Sequence, residues 1–129
     1  MVGIVIVSHS IKVAEGVKDL AGQMAGNAPI AAVGGTSDGR LGTDADKITK
    51  AIESVYSEDG VLVIFDLGSA YMNAQMAIEF LPNNMQGKVE IADAALVEGA
   101  ITAAVESSIG KNIQEIKEAI KAMCLHKMP

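Results

Sequence analysis

Apolar residues fall in this chain either in short unbroken runs or at helical spacing, and the two patterns take turns from end to end. Val2 to Val7 is a run of β-branched residues with one glycine. It does not alternate with polar residues, so it predicts a strand buried on both faces, as in a parallel sheet. Ile30 to Val33 and Val61 to Phe65 repeat the pattern, and Val89 to Ala92 is a weaker fourth run. After the first run, Ser10 is a suitable N-cap for a helix reaching about Met24, with Val13, Val17, Leu20 and Met24 as its apolar stripe. Thr43 is the expected cap of a second helix, with Asp44 and Asp46 in its first turn and Ile48, Ile52 and Val55 buried. A third helix follows Asp66-Leu67-Gly68-Ser69 and carries Met72, Met76 and Phe80 as its expected core side, more core than partner-binding patch. Two last helices carry Val97, Ala100, Ile101, Ala104 and Val105, then Ile113, Ile116, Ile120 and Met123, with Gly110 and Asn112 between them.

Asn27 with Pro29, the loop Gly35 to Gly42, Asp59-Gly60 and the segment from Pro82 to Gly87 punctuate these elements as turns and loops, the second expected to be mobile. Strand and helix alternate four times with an extra C-terminal helix, which is the signature of an α/β domain. Right-handed crossovers and short connections make 2-1-3-4 the simplest doubly wound order. The expectation is therefore a four-stranded parallel sheet with helices on both faces, in one domain over residues 1–129.

Composition narrows the classes of function. Ten basic and 16 acidic residues give a net charge of -6, with no basic block, so a nucleic-acid backbone would be repelled. No apolar run approaches the roughly 20 residues needed to span a bilayer, and no basic flank or small-residue cleavage site marks a signal peptide. A soluble, cytoplasmic protein with no membrane partner is expected. The single cysteine, Cys124, excludes an internal disulfide and is expected to be an inert, buried or half-buried thiol on the apolar side of the last helix.

Candidate chemistry sits at the ends of the first and third strands. In a 2-1-3-4 sheet the switch point lies between them, and ligands bind outside the carboxyl ends of strands at such points. His9 and Asp66 both fall there. A carboxylate that accepts the N–H of one ring nitrogen leaves the other with a free lone pair, ready as base or nucleophile. Two helix N-termini, the hydroxyls of Ser10 and Ser69 and the small Gly68 would surround the pair, a combination that favours an anion such as a phosphoryl group. The residues thus describe a phosphate-accepting His9 activated by Asp66 and cradled by the Gly68-Ser69 turn. No metal set accompanies them, since the only other histidine is His126 and there is no second cysteine.

Each residue also has a plainer reading. His9 alone could be an ordinary loop residue, Asp66 a helix cap, the glycines turns, Thr36 a solvated turn residue, and His126 a frayed terminal one. Joint placement at the switch point raises His9 and Asp66 above those readings.

The stretches Gly-Ile-Val-Ile-Val-Ser-His-Ser at the start, Gly34-Gly35-Thr36, and Phe-Asp-Leu-Gly-Ser-Ala-Tyr-Met-Asn at residues 65–73 resemble the mannose-type IIA domains of the bacterial phosphotransferase system. More closely they resemble the branch of that family serving phosphoenolpyruvate-dependent dihydroxyacetone kinase. The sugar-transport domains usually follow the strand-three Asp with Gly-Gly-Ser/Thr-Pro, whereas this chain has Leu67-Gly68-Ser69-Ala70. The resemblance covers essentially the whole chain. It implies that His9 is phosphorylated, that Asp66 is its hydrogen-bond partner, and that Gly68-Ser69 and Gly35-Thr36 lie on the phosphate side. It also implies phospho-HPr as donor and ADP on the DhaL subunit as acceptor, with DhaK holding dihydroxyacetone in the same complex. The subunit itself needs no cofactor. A homodimer is expected, packed through helices, because the C-terminus reads as helix where the transport domains exchange a strand. Without the fused HPr-like domain of some relatives, a separate HPr is expected.

Three other readings remain. A IIA component of a mannose-type sugar transporter differs only in the downstream acceptor. A receiver-like signalling domain would need an acidic pair after strand one for Mg²⁺, where this chain has Ser8-His9-Ser10. A nucleotide-binding module would need a glycine-rich fingerprint that is missing after strand one.

Overall fold

The computed structural model describes residues 1–128. Four strands form one parallel sheet in the order β2-β1-β3-β4, with β1 at Gly3–Ser8, β2 at Ile30–Gly34, β3 at Val61–Phe65 and β4 at Val89–Ala92. This is the expected topology. The helices are α1 (Ile11–Met24), α2 (Ala45–Val55), α3 (Ser69–Glu79), the short α4 (Asn83–Gln86), α5 (Leu96–Ser108) and α6 (Ile113–Ile120).

Both faces of the sheet are covered, which explains why the strand sequences do not alternate. On one face Ile4, Ile6, Leu62 and Ile64 pack against α1, α5 and α6 through Ala14, Val17, Ala100, Ala103, Ile113 and Ile116. On the other face Val5, Val7, Val63 and Phe65 meet α2 and α3 through Ile48, Ile52, Ala70, Ala74 and Ala77. Each fully buried Ile, Leu, Val or Phe contributes about 1.5–3 kcal/mol relative to exposure, so the central strands dominate the core.

The helix faces differ from the expected stripes. In α1 the buried residues are Ala14, Val17 and Ala21, while Val13, Leu20 and Met24 face outward. In α3 they are Ala70, Ala74 and Ala77, with Met72, Met76 and Phe80 exposed. Alanine lets a helix axis approach its neighbour closely, so the smallest side chains turn inward and the large ones cover the rim. In α5, likewise, Gly99, Ala100, Ala103, Ala104 and Ser107 are buried while Val97 is exposed.

Three local expectations are corrected. Asp44, not Thr43, caps α2: its carboxylate accepts from the amides of Asp46 and Lys47 at 2.9 and 3.3 Å. The Thr43 hydroxyl accepts instead from Asn73 Nδ2 at 2.6 Å, tying the start of α2 to α3. The segment read as a loop after Pro82 contains α4. Cys124 is exposed rather than buried.

Past α6 and a 3₁₀ turn at Lys121–Met123, the tail as far as Met128 is held by Asp93. The Asp93 carboxylate accepts from the backbone amides of Leu125 and Met128, at 3.3 and 3.0 Å, and from that of Lys127. His126 is exposed on this tail, with φ 58. No helix among the described residues is long and apolar enough to cross a membrane.

Candidate functional site

Register brings the site together. Val7 on β1 and Phe65 on β3 are partners, and the Asp66 amide extends the ladder to the Val7 carbonyl at 3.1 Å. The residues just beyond therefore emerge side by side at the carboxyl edge of the two central strands. His9 Nδ1 lies 2.9 Å from Asp66 Oδ1, and the His9 amide donates to Asp66 Oδ2 at 3.0 Å. Ser8 Oγ donates to the same Oδ2 at 2.8 Å, and the Leu67 amide donates to Oδ1 at 2.7 Å.

Asp66 thus accepts four hydrogen bonds. Burial alone would push its carboxyl up, but the His9 ring, the His9 amide, the Ser8 hydroxyl and the Leu67 amide outweigh that and hold it below the usual carboxylate range. An ionised Asp66 can only accept, so His9 Nδ1 carries a proton and, in the neutral ring, Nε2 presents its lone pair. That lone pair faces Ser69 Oγ at 2.8 Å, with the hydroxyl as donor. Asp66 is not the cap of α3: Gly68 holds that position without a side-chain cap, so the helix opens uncapped beside Nε2. The dipole there favours negative charge.

Ser10 caps α1 by accepting from the Val13 amide at 3.3 Å. It lines, with His9, Gly35 and Thr36, a cleft of about 480 Å³ that also includes Arg40 and Lys47. Gly34 sits at the floor, where a Cβ would come within 2.5 Å of the Ser8 carbonyl, and Gly35 turns the chain with φ 76, a region other residues resist. The Gly42 amide donates to the His9 carbonyl at 2.8 Å and closes the loop over this side. Thr36 shares the cleft but spends its donors locally, its hydroxyl on Asp38 and its amide on the Arg40 carbonyl. All seven residues singled out in the sequence line one edge of the sheet, with Asp66, Gly68 and Ser69 on one side of His9 and Ser10, Gly35 and Thr36 on the other. Among the described residues no cluster of His, Cys, Asp or Glu could hold a metal.

Lys127 was not anticipated. From the tail its Nζ donates to the carbonyls of Phe65 at 2.6 Å and Ala94 at 2.9 Å. A lone lysine beyond the last helical repeat carries no sequence signal for such a placement.

The family model described as "PTS system fructose IIA component" matches residues 3–117. The chain belongs to this family. Within it, the DhaM subunits are close relatives. A Listeria innocua protein named as the DhaM phosphoryl donor subunit of PEP-dependent dihydroxyacetone kinase 2 is 42% identical, over 93% of this chain and 94% of its own length. A Lactococcus lactis subunit, named as the DhaM phosphotransferase subunit of a PTS-dependent dihydroxyacetone kinase, is 38% identical over 97% of this chain and 98% of its own. The Escherichia coli DhaM is 43% identical over 90% of this chain, which spans only 25% of that longer protein. A crystal structure of a protein of unknown function superposes with a TM-score of 0.84 at 33% identity, covering 94% of this chain and 92% of that one. The mannose/sorbose-specific IIA subunit of Enterococcus faecalis shares the fold, with a TM-score of 0.52 at 17% identity over 95% and 88% of the two chains.

Proposed function

We propose that this chain is a phosphoryl carrier of a phosphoenolpyruvate-dependent dihydroxyacetone kinase, taking the group from phospho-HPr onto His9 and passing it to ADP on DhaL for use on dihydroxyacetone held by DhaK. The observation that carries the reading is the His9 ring, fixed by Asp66 at Nδ1 and free at Nε2 beside Ser69. In the first step the Nε2 lone pair attacks the phosphorus of the donor phosphohistidine, the new N–P bond forms, and the donor's N–P bond breaks. In the second, a terminal oxygen of ADP attacks the same phosphorus, the bond to Nε2 breaks, and ATP forms. The Nδ1 proton stays facing Asp66 throughout, which stabilises the positive charge the ring acquires.

Positioning and anion stabilisation supply most of what such in-line transfer needs. The Ser69 hydroxyl, donating to Nε2 before transfer, turns to a phosphoryl oxygen after it. The uncapped start of α3 takes part of the negative charge, with Gly68 leaving room at the turn. Ser10, Gly35 and Thr36 wall the opposite side. The resemblance adds a homodimer and a cytoplasmic location to this reading.

Intact-mass spectrometry after incubation with phosphoenolpyruvate, enzyme I and HPr tests it. One acid-labile phosphoryl group should appear, be absent from His9→Ala, and be discharged by DhaL carrying ADP. Undiminished labelling of His9→Ala would falsify the assignment, and labelling without discharge would move the acceptor to a sugar-transport partner.

A further inference from the structure

The tail around Lys127 lies against the turn that holds Asp66 and Ser69. Asp93, just past β4, gathers the amides of Leu125, Lys127 and Met128 and so fixes the backbone on both sides of Lys127. The Lys127 side chain then reaches inward. Its ammonium bridges the Phe65 carbonyl and the Ala94 carbonyl, two groups beyond the ends of the β3 and β4 pairing, at 2.6 and 2.9 Å. It also stands 4.7 Å from the centre of the Phe65 ring, a cation–π distance. The Lys127 carbonyl lies 3.0 Å from where a Cβ on Gly68 would sit, so the tail backbone touches the turn itself.

These contacts bracket the catalytic turn. Phe65 immediately precedes Asp66, Gly68 immediately precedes Ser69, and the tail touches both. Burial holds the ammonium's pKa below its ordinary value, although the negative charges of Asp93 and Asp66 act to raise it. A loop at the edge of a sheet has no ladder beyond its last pair, and the four hydrogen bonds at Asp66 need that loop fixed to a fraction of an ångström.

We propose that Lys127 is a positioning residue for His9: by bonding the Phe65 carbonyl and packing the tail on Gly68, it holds Asp66 and Ser69 in register with the two ring nitrogens. Its kinetic consequence rests on the phosphohistidine reading, whereas its effect on the ring does not. The hydrogen bonds of the Lys127 ammonium go to the Phe65 and Ala94 carbonyls and not to His9, so it acts through the turn.

The test compares the full chain with Lys127→Met, which keeps the aliphatic stem, and Lys127→Arg, which keeps a charged donor. Two quantities are read: the ¹⁵N resonances of the His9 ring in unphosphorylated protein, which distinguish Nδ1–H from Nε2–H, and the initial rate of phosphoryl gain from HPr. The proposal expects Lys127→Met to mix the two tautomers and slow the gain about tenfold, with Lys127→Arg restoring most of both. Wild-type ring resonances in Lys127→Met overturn it, whether or not the rate falls. Equal defects in Met and Arg variants overturn it too, because they would assign the effect to side-chain packing alone. Should the wild-type protein take up no phosphoryl group, the ring resonances still decide the matter, and only the phosphoryl reading is lost.

Discussion

Asp66 holds more of the site than any other single side chain. Each of its oxygens accepts two hydrogen bonds, Oδ1 from His9 Nδ1 and the Leu67 amide, Oδ2 from the Ser8 hydroxyl and the His9 amide. An asparagine in its place could reproduce only one oxygen, and its amide group would face donors at the other. Asp66→Asn should therefore cost about 1.5–3 kcal/mol at neutral pH, the scale of hydrogen bonds to a charged group. Because the folded-state pKa is depressed from the ordinary 3.8, this stabilisation is complete well above that value and is lost as the pH falls through the depressed one. Urea unfolding of wild type and variant should give midpoints well separated at pH 7 that converge in acid. Midpoints differing equally at both extremes would mean that the carboxylate's charge contributes nothing.

The strands and the helices left different marks in the sequence. Continuous β-branched runs such as Val2–Val7 and Val61–Phe65 have one good solution, burial on both faces, so sheet order and the meeting of His9 with Asp66 were legible before the structure. The helix faces were not, because a stripe of large apolar residues and a stripe of alanines one or two positions away have nearly the same period. Close packing favours the alanines: Ala70, Ala74 and Ala77 are fully buried, whereas Met72 is 69% exposed. Two substitutions on α3 separate the readings. Ala74→Leu forces bulk into a filled interface and should destabilise by about 1–3 kcal/mol, while Met72→Gln should fall within about 0.5 kcal/mol of wild type. Thermal unfolding of the two variants measures the contrast, and the reverse order would restore the methionine stripe to the core. The cap of α2 lies one residue beyond the expected Thr43 for a related reason. Thr43 and Asp44 are both good caps, and only the tertiary bond from Asn73 to Thr43 decides between them.

At the scale of the whole molecule, His9 at the end of the first strand meets Asp66 and Ser69 from the middle of the chain, and Lys127 in the tail contacts the residue before Asp66. Lys127 escaped the sequence reading because a polar residue past the last apolar repeat looks solvated, and its anchor is a loop carboxylate whose partners are backbone amides with no side-chain signature. That anchorage has its own pH dependence. Burial raises the Asp93 carboxyl, but the amides of Met128, Leu125 and Lys127, together with the Lys127 charge, hold it below the ordinary carboxylate range. The charged form is therefore the one that grips the tail, and the grip is present at neutral pH and fails as acid protonates Asp93 below that range. The amide resonances of Leu125, Lys127 and Met128 should shift together through this acid transition, while those of Ile4 and Ile64 in the central strands stay in place until global unfolding. In Asp93→Asn the three resonances should already sit near their acid positions at pH 7, and the His9 ring should show the mixed tautomers expected of Lys127→Met, because releasing the backbone withdraws the lysine from Phe65. Tail amides that titrate independently of one another, or an Asp93→Asn protein with wild-type His9 resonances, would show that the chain's end and its first strand are not mechanically joined.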